Sequence, residues 1–252
     1  MNRKQSIVPY FLLTIVFITA SNTARAQVVA RTPDETSAHC TALMGADLTQ
    51  IPDAPTQVTD TKLIDAVNDV PGYCRVEGYI SPNVGIELRL PTDHWNGKFL
   101  QMGCGGLCGV LASSYDNHLG HDCDTGLRKG YACLASNQGH TGTMYDGKWA
   151  YNNLQAQIDF AYRATHVAAL AGKAITERYY AQAPRKAYFW GCSGGGRQGL
   201  VEAQRFPSDF DGIAVVAPGI RLSDVLMSIL WNWKVATSHG TAFHDGRRFD
   251  SA

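Results

Sequence analysis

The chemistry in this sequence centres on Ser193. It stands within Gly-Cys-Ser-Gly-Gly-Gly-Arg-Gln-Gly at 191–199. Before it, the apolar and aromatic run at 187–190 reads as a buried strand. After it, Leu200, Val201, Ala203 and Phe206 recur at helical spacing until Pro207 closes the segment. A serine hydroxyl is a weak nucleophile in water and needs a tight turn that exposes it beside a base and near backbone N–H donors. Gly191 and Gly195 permit such a turn, and Gly194 is the expected first donor to an oxyanion. Acyl transfer calls for a second donor, expected from Gly105 or Gly106 in the glycine run that follows a strand at 98–102. Gly-x-Ser-x-Gly alone is a weak pattern, and a structural or phosphate-binding serine in a glycine-rich turn is the plainer alternative. A lysine-type phosphate loop is unsupported, because no Gly-Lys-Ser/Thr follows.

The base is harder to place. His239 and His244 lie downstream of the serine with Asp224 and Asp245 nearby, so a compact Ser, Asp, His order is formally available; solvated polar residues in a tail are the alternative. His140, at the end of a strand over 131–136, is expected to pack and hydrogen-bond rather than catalyse. His166 is read as a packed helix residue. Arg197 and Gln198, in the first turns after the serine, are expected to anchor their helix, with substrate contact as the alternative.

The elements that must hold these residues follow from periodicity. Alternating runs at 76–80 and 84–90, separated by Ser81-Pro82-Asn83, predict a hairpin. Apolar residues at three- and four-residue steps predict one long helix over 153–180, and a further strand is expected over 212–217. Strand and helix alternate from 98 to 217, which predicts an α/β fold with a mostly parallel sheet covered on both faces. In such sheets the site lies at the carboxyl ends of strands, where Ser193 and the glycines at 103–106 both fall. Residues 27–70 are polar and carry Pro33, Pro52 and Pro55, so they read as an arm over the core, pinned through Cys40.

Arg3 and Lys4, an apolar stretch at 7–20 and Ala24-Arg25-Ala26 predict a signal peptide over 1–26, and hence a secreted or periplasmic protein. Lysine plus arginine and aspartate plus glutamate each number 22, and no basic run follows the leader, so neither nucleic acid nor a membrane surface is an expected partner. Oligomeric state is left open. Of the seven cysteines, the six from Cys40 to Cys133 are expected to pair among themselves, leaving Cys192 without a partner. An inert buried thiol at 192 is the alternative there. The plainer alternative for the glycine loop is a strand-end turn held by a Cys104–Cys108 bridge, with zinc at that spacing weaker still, and the cysteine connectivity as a whole is left open.

The run at 191–199 resembles the tannase and feruloyl esterase family, which typically shows Gly-Cys-Ser-x-Gly-Gly-Arg-x-Gly. The likeness extends to Asp93-His-Trp-Asn-Gly-Lys-Phe99, Ser136-Asn-Gln-Gly-His140 and Asp159-Phe-Ala-Tyr-Arg-Ala-Thr-His166. It implies an α/β-hydrolase fold and secreted hydrolysis of phenolic-acid esters such as feruloyl or galloyl esters, free or polysaccharide-linked. It also implies relatives that cleave a terephthalate monoester. It further implies that Cys192 pairs with a cysteine just before the catalytic histidine, both outside this chain. A large lid, calcium-bearing in some relatives, would precede them, and the catalytic acid also lies beyond. On this resemblance residues 27–218 are part of a catalytic domain, 219–252 are the start of the lid or an irregular tail, and the sheet is C-terminally incomplete. No cofactor is expected in the chain itself. An inert remnant, or a polyester depolymerase completed by His239 or His244, are the alternative readings.

Overall fold

The computed structural model describes residues 33–111 and 123–238. The expected leader at 1–26, together with His239, His244 and Asp245, lies outside the described residues.

Helix α1 (Pro33–Ala42) leads into strands β1 (Thr56–Ile64), β2 (Tyr73–Ile80), β3 (Val84–Pro91) and β4 (Lys98–Met102). Helix α2 (Cys123–Arg128) precedes β5 (Ala132–Ser136), and α3 (Leu154–Ile158) precedes α4 (Ala164–Tyr180). Strand β6 (Lys186–Cys192), α5 (Gly194–Arg205), β7 (Gly212–Val216) and α6 (Leu222–Ser238) complete the order. One sheet runs β1-β2-β3-β5-β4-β6-β7. The expected α/β architecture is present, and the sheet is mixed. Strands β5, β4, β6 and β7 are mutually parallel, whereas β1 to β3 are antiparallel and β3 meets β5 antiparallel. Connection length explains the division. Ser81-Pro82-Asn83 can only reverse the chain, while parallel neighbours need the long crossovers that the helices supply.

Helices cover both faces. On one, α4 and α5 pack over Phe99, Leu134 and Phe189; a Cβ on Gly172 of α4 would lie 2.6 Å from Leu134 and 2.7 Å from the Phe99 ring, so only glycine admits this approach. On the other, α2 lies against Leu100 and Cys133. Phe99, Leu134, Leu88, Ile86 and Phe189 are buried to 1% exposure or less. Burial on this scale is worth about 1.5–3 kcal/mol per large apolar side chain.

The six N-terminal cysteines pair as Cys40–Cys74, Cys104–Cys108 and Cys123–Cys133, and Cys192 is free. The first bridge pins α1 to β2, as expected for Cys40. A pure arm over 27–70 does not form, however. Residues after Pro55 alternate buried and exposed, and Thr56–Ile64 adds to the sheet as β1 beside β2. The helix expected over 153–180 is present with one irregularity: Asp159–Arg163 forms a π turn between α3 and α4. Nor is the segment after Arg221 an irregular tail, since Leu222–Ser238 is helical.

Candidate active site

Strands β4 and β6 lie side by side in parallel register, with Met102 opposite Trp190, so their carboxyl ends bring residues 103–108 beside residues 191–195. Gly103 N donates to Trp190 O at 2.8 Å and continues that pairing into the loops. At the end of β6 the chain turns through Ser193 into α5. Ser193 adopts φ 54° and ψ −114°, a conformation that costs a non-glycine residue of order 1–3 kcal/mol. The neighbourhood enforces it: Ser193 N donates to Val216 O at 2.9 Å, and Ser193 O accepts from Arg197 N and Gly219 N, each at 3.0 Å. The side chain is exposed at the crest of the sheet.

The turn is packed backbone against backbone. A Cβ on Gly191 would lie 2.4 Å from Gly195 C and O, and one on Gly194 would lie 2.6 Å from Gly106 O and 3.1 Å from Cys104 O. The two glycine loops therefore touch, and Gly194, Gly105 and Gly106 sit together as the sequence predicts. Among the described residues the N–H groups of all three lack an acceptor. Gly105 is buried and Gly106 is exposed. Backbone donors left open beside an exposed serine form a ready cradle for negative charge.

Two polar residues after the serine anchor α5 as expected. Arg197 donates to Phe160 O at 2.8 Å and Ala161 O at 3.1 Å, and its guanidinium lies 4.3 Å from the centre of the Phe160 ring. Those carbonyls belong to the π turn. Burial without a carboxylate partner brings the Arg197 guanidinium down to about 10. Gln198, 2% exposed, reaches the other glycine loop: its Oε1 accepts from Cys104 N at 3.3 Å. Its Nε2 donates to the sulfurs of Cys104 and Cys108 at 3.1 and 3.3 Å. Both sulfurs are consumed by the disulfide, so a zinc site at this spacing is overturned.

His140 is buried, stacks on Trp149 at 3.7 Å and places Nε2 2.8 Å from Leu107 O. Burial lowers its affinity for a proton, against the opposing pull of the Leu107 and Gln138 carbonyls. Both ring nitrogens face backbone carbonyls, those of Gln138 and Leu107, rather than Ser193. Among the described residues no imidazole or carboxylate hydrogen-bonds Ser193 Oγ. Asp224 lies on α6, paired with Arg221 at 2.6 Å. Cys192 is half-buried beside the serine.

A separate cluster was not legible from sequence. His166, packed as expected, bonds Asp209 Oδ2 at 2.5 Å and stacks on Phe206. Glu202 lies within 4.8 Å of both, fully buried, with neither oxygen reached by a donor. Burial first, then the Asp209 charge, pushes the Glu202 carboxyl up to about 9, so it holds a proton and can donate to Asp209. Lys173 Nζ donates to Asp209 O at 3.0 Å. These three ligand atoms do not fit calcium, which takes six to eight oxygens. The adjoining ammonium already compensates the carboxylate. The group reads as a proton-bridged clamp between α4 and α5.

With this geometry in place, comparison with known proteins is informative. A sequence model of tannase and feruloyl esterase matches residues 68–244. Mono(2-hydroxyethyl) terephthalate hydrolase of Piscinibacter sakaiensis is 34% identical over 177 residues, covering 64% of this chain and 29% of that protein. A probable feruloyl esterase B-2 of Aspergillus flavus is 38% identical over 157 residues, covering 61% of this chain and 28% of that protein. The crystal structure of feruloyl esterase B from Aspergillus oryzae superposes with a TM-score of 0.61 at 30% identity, over 73% of this chain and 37% of that one. The chain spans less than a third of the length of these curated relatives. A serine held at the strand-to-helix turn of a mixed α/β sheet, and a family match across most of the described residues, lead to one conclusion: the chain belongs to the tannase and feruloyl esterase family.

Proposed function

We propose that this chain carries the nucleophile and oxyanion half of a serine carboxylic-ester hydrolase that acts on phenolic-acid esters, feruloyl or galloyl. The observation that carries this reading is the backbone of Ser193, held at φ 54° and ψ −114° where β6 meets α5, beside three glycine N–H groups that find no acceptor among the described residues. Ser193 Oγ attacks the ester carbonyl as a base takes its proton. The carbonyl oxygen becomes an oxyanion facing Gly194 N and the N–H of Gly105 or Gly106. The tetrahedral centre collapses with loss of the alcohol, which takes the proton from the base, and leaves the acid esterified on Ser193. Water then repeats the sequence and releases the acid. The base and its acid partner are not among the described residues. By resemblance they follow a lid, and Cys192 would be bridged to the cysteine before the histidine.

The substrate class rests on the family match and on feruloyl esterases among the relatives. The terephthalate-ester hydrolase among them supports a second reading, a para-substituted aromatic monoester. Three disulfides support an oxidising compartment, secreted or periplasmic. No described helix is long and apolar enough to cross a membrane.

The test is hydrolysis of methyl ferulate, methyl gallate and mono(2-hydroxyethyl) terephthalate by the full-length protein, with its Ser193→Ala variant alongside. Turnover is expected to fall at least about 10⁴-fold in the variant. A fluorophosphonate is expected to label Ser193. Label on another side chain, or undiminished turnover without the hydroxyl, overturns the reading.

A further inference from the structure

We propose that Gln198 and the Cys104–Cys108 disulfide act together as a positioning unit for the second oxyanion donor; this rests on the reading of Ser193 as nucleophile. An oxyanion donor works only if it waits about 3 Å from where charge develops, so the arc carrying Gly105 and Gly106 must be held against thermal drift. Gly106 is exposed at φ 55° between buried or partly buried neighbours, and two adjoining glycines have no side chains of their own to lock the backbone.

Several ties hold the arc, among them the contact of His140 Nε2 with Leu107 O at 2.8 Å. Gly103 N bonds Trp190 O and Leu107 N bonds Met144 O, each at 2.8 Å, while Cys108 N closes back on Gly105 O at 3.0 Å. Among the described residues, only Gln198 hydrogen-bonds the arc to the helix that the nucleophile opens. Its carboxamide accepts from Cys104 N and donates to both sulfurs, and the side chain is 2% exposed. Gln198 stands five residues after Ser193 on α5, whose first residue is Gly194. Both donor groups are therefore fixed to one helix: Gly194 directly, and Gly105 and Gly106 through Gln198 and the bridge.

The bridge is suited to shaping rather than to global stability. A loop closed across a separation of 4 residues constrains the unfolded chain far less than the 34-residue separation of Cys40 and Cys74 does. What it does locally is fix the span between residues 104 and 108, so the intervening glycines cannot flatten away from Gly194.

In the full-length protein, Gln198→Met keeps the length of the side chain and removes its polar contacts. The double variant Cys104→Ala/Cys108→Ala removes the bridge and leaves no new thiol. Each is expected to lower kcat about 10- to 100-fold, with KM within about twofold, because oxyanion donors act on the transition state. Affinity for benzeneboronic acid, which forms a tetrahedral adduct on serine, is expected to fall by the same factor while product-acid binding holds. If one variant fails to fold, the other decides. Wild-type kcat, or a loss expressed only in KM, overturns the inference. Ser193→Ala in the same assay keeps the two questions apart. Retained turnover there rejects the nucleophile assignment, whereas an inactive Ser193→Ala beside a fully active Gln198→Met rejects only the positioning role.

Discussion

At residue 193 the backbone carries as much of the design as the hydroxyl does. A strained turn persists only where neighbours over-determine it, and here Val216 O, Arg197 N and Gly219 N hold the Ser193 peptide groups. The adjoining glycines are contact surfaces rather than hinges. Gly191→Ala places a methyl group 2.4 Å from the Gly195 carbonyl, a backbone atom that cannot rotate away. This variant is expected to fold with a lowered Tm and to lose about 10²-fold or more in kcat, since a displacement near 1 Å at a reacting group costs that much. Steady-state kinetics with a thermal melt checks it, and an active Gly191→Ala would show the turn to be loosely held. The strand-to-helix turn at Ser193 and the glycine loops that meet there were legible in the glycine spacing. The carboxamide bonds of Gln198 to a disulfide were not, because a sequence shows neither which loop lies opposite a helix nor at what distance.

Helices α4 and α5 are joined by a buried acid rather than by apolar contact alone. Glu202 is fully buried near Asp209 and His166, and its carboxyl is raised from 4.5 to about 9. The folded protein thus keeps a proton that the unfolded chain gives up. The stabilisation is complete below about pH 4.5 and is lost as pH rises toward 9, at about 1.4 kcal/mol per unit across that window. Urea denaturation at pH 5, 7 and 8.5 is expected to show this fall, with Lys173, His166 and Asp209 as the charged and titratable neighbours. Glu202→Gln, which cannot ionise, is expected to flatten the slope; an unchanged slope would place the proton elsewhere. The π turn belongs to the same scale. Apolar spacing predicted one helix over 153–180, and it exists, but the π turn within it carries the Phe160 and Ala161 carbonyls that Arg197 on another helix bonds. Periodicity reports the buried face of a helix and is silent about such distant partners.

Across the whole molecule, apolar surface is unevenly covered. Trp231, Trp233, Met227 and Leu230 on α6 are 58–66% exposed. On the α2 face of the sheet, Leu100, Met102, Tyr188 and Trp190 line a cavity of about 350 Å³. Patches of this kind bind other apolar surfaces. The 252-residue chain is expected to enhance anilinonaphthalene sulfonate fluorescence and to self-associate with rising concentration, and Trp231→Ser/Trp233→Ser to reduce both. Analytical ultracentrifugation showing a concentration-independent monomer would contradict this. The amino acids alone determined the α/β class, the hairpin, the strand-to-helix turn at Ser193 and the odd cysteine, because each follows from short-range spacing or simple counting. Only the tertiary structure decided that Thr56–Ile64 joins the sheet, which cysteines pair, and that a glutamine five residues past the serine grips the opposite loop. Those outcomes depend on distances between segments up to 94 residues apart, which chain folding sets and local pattern does not encode.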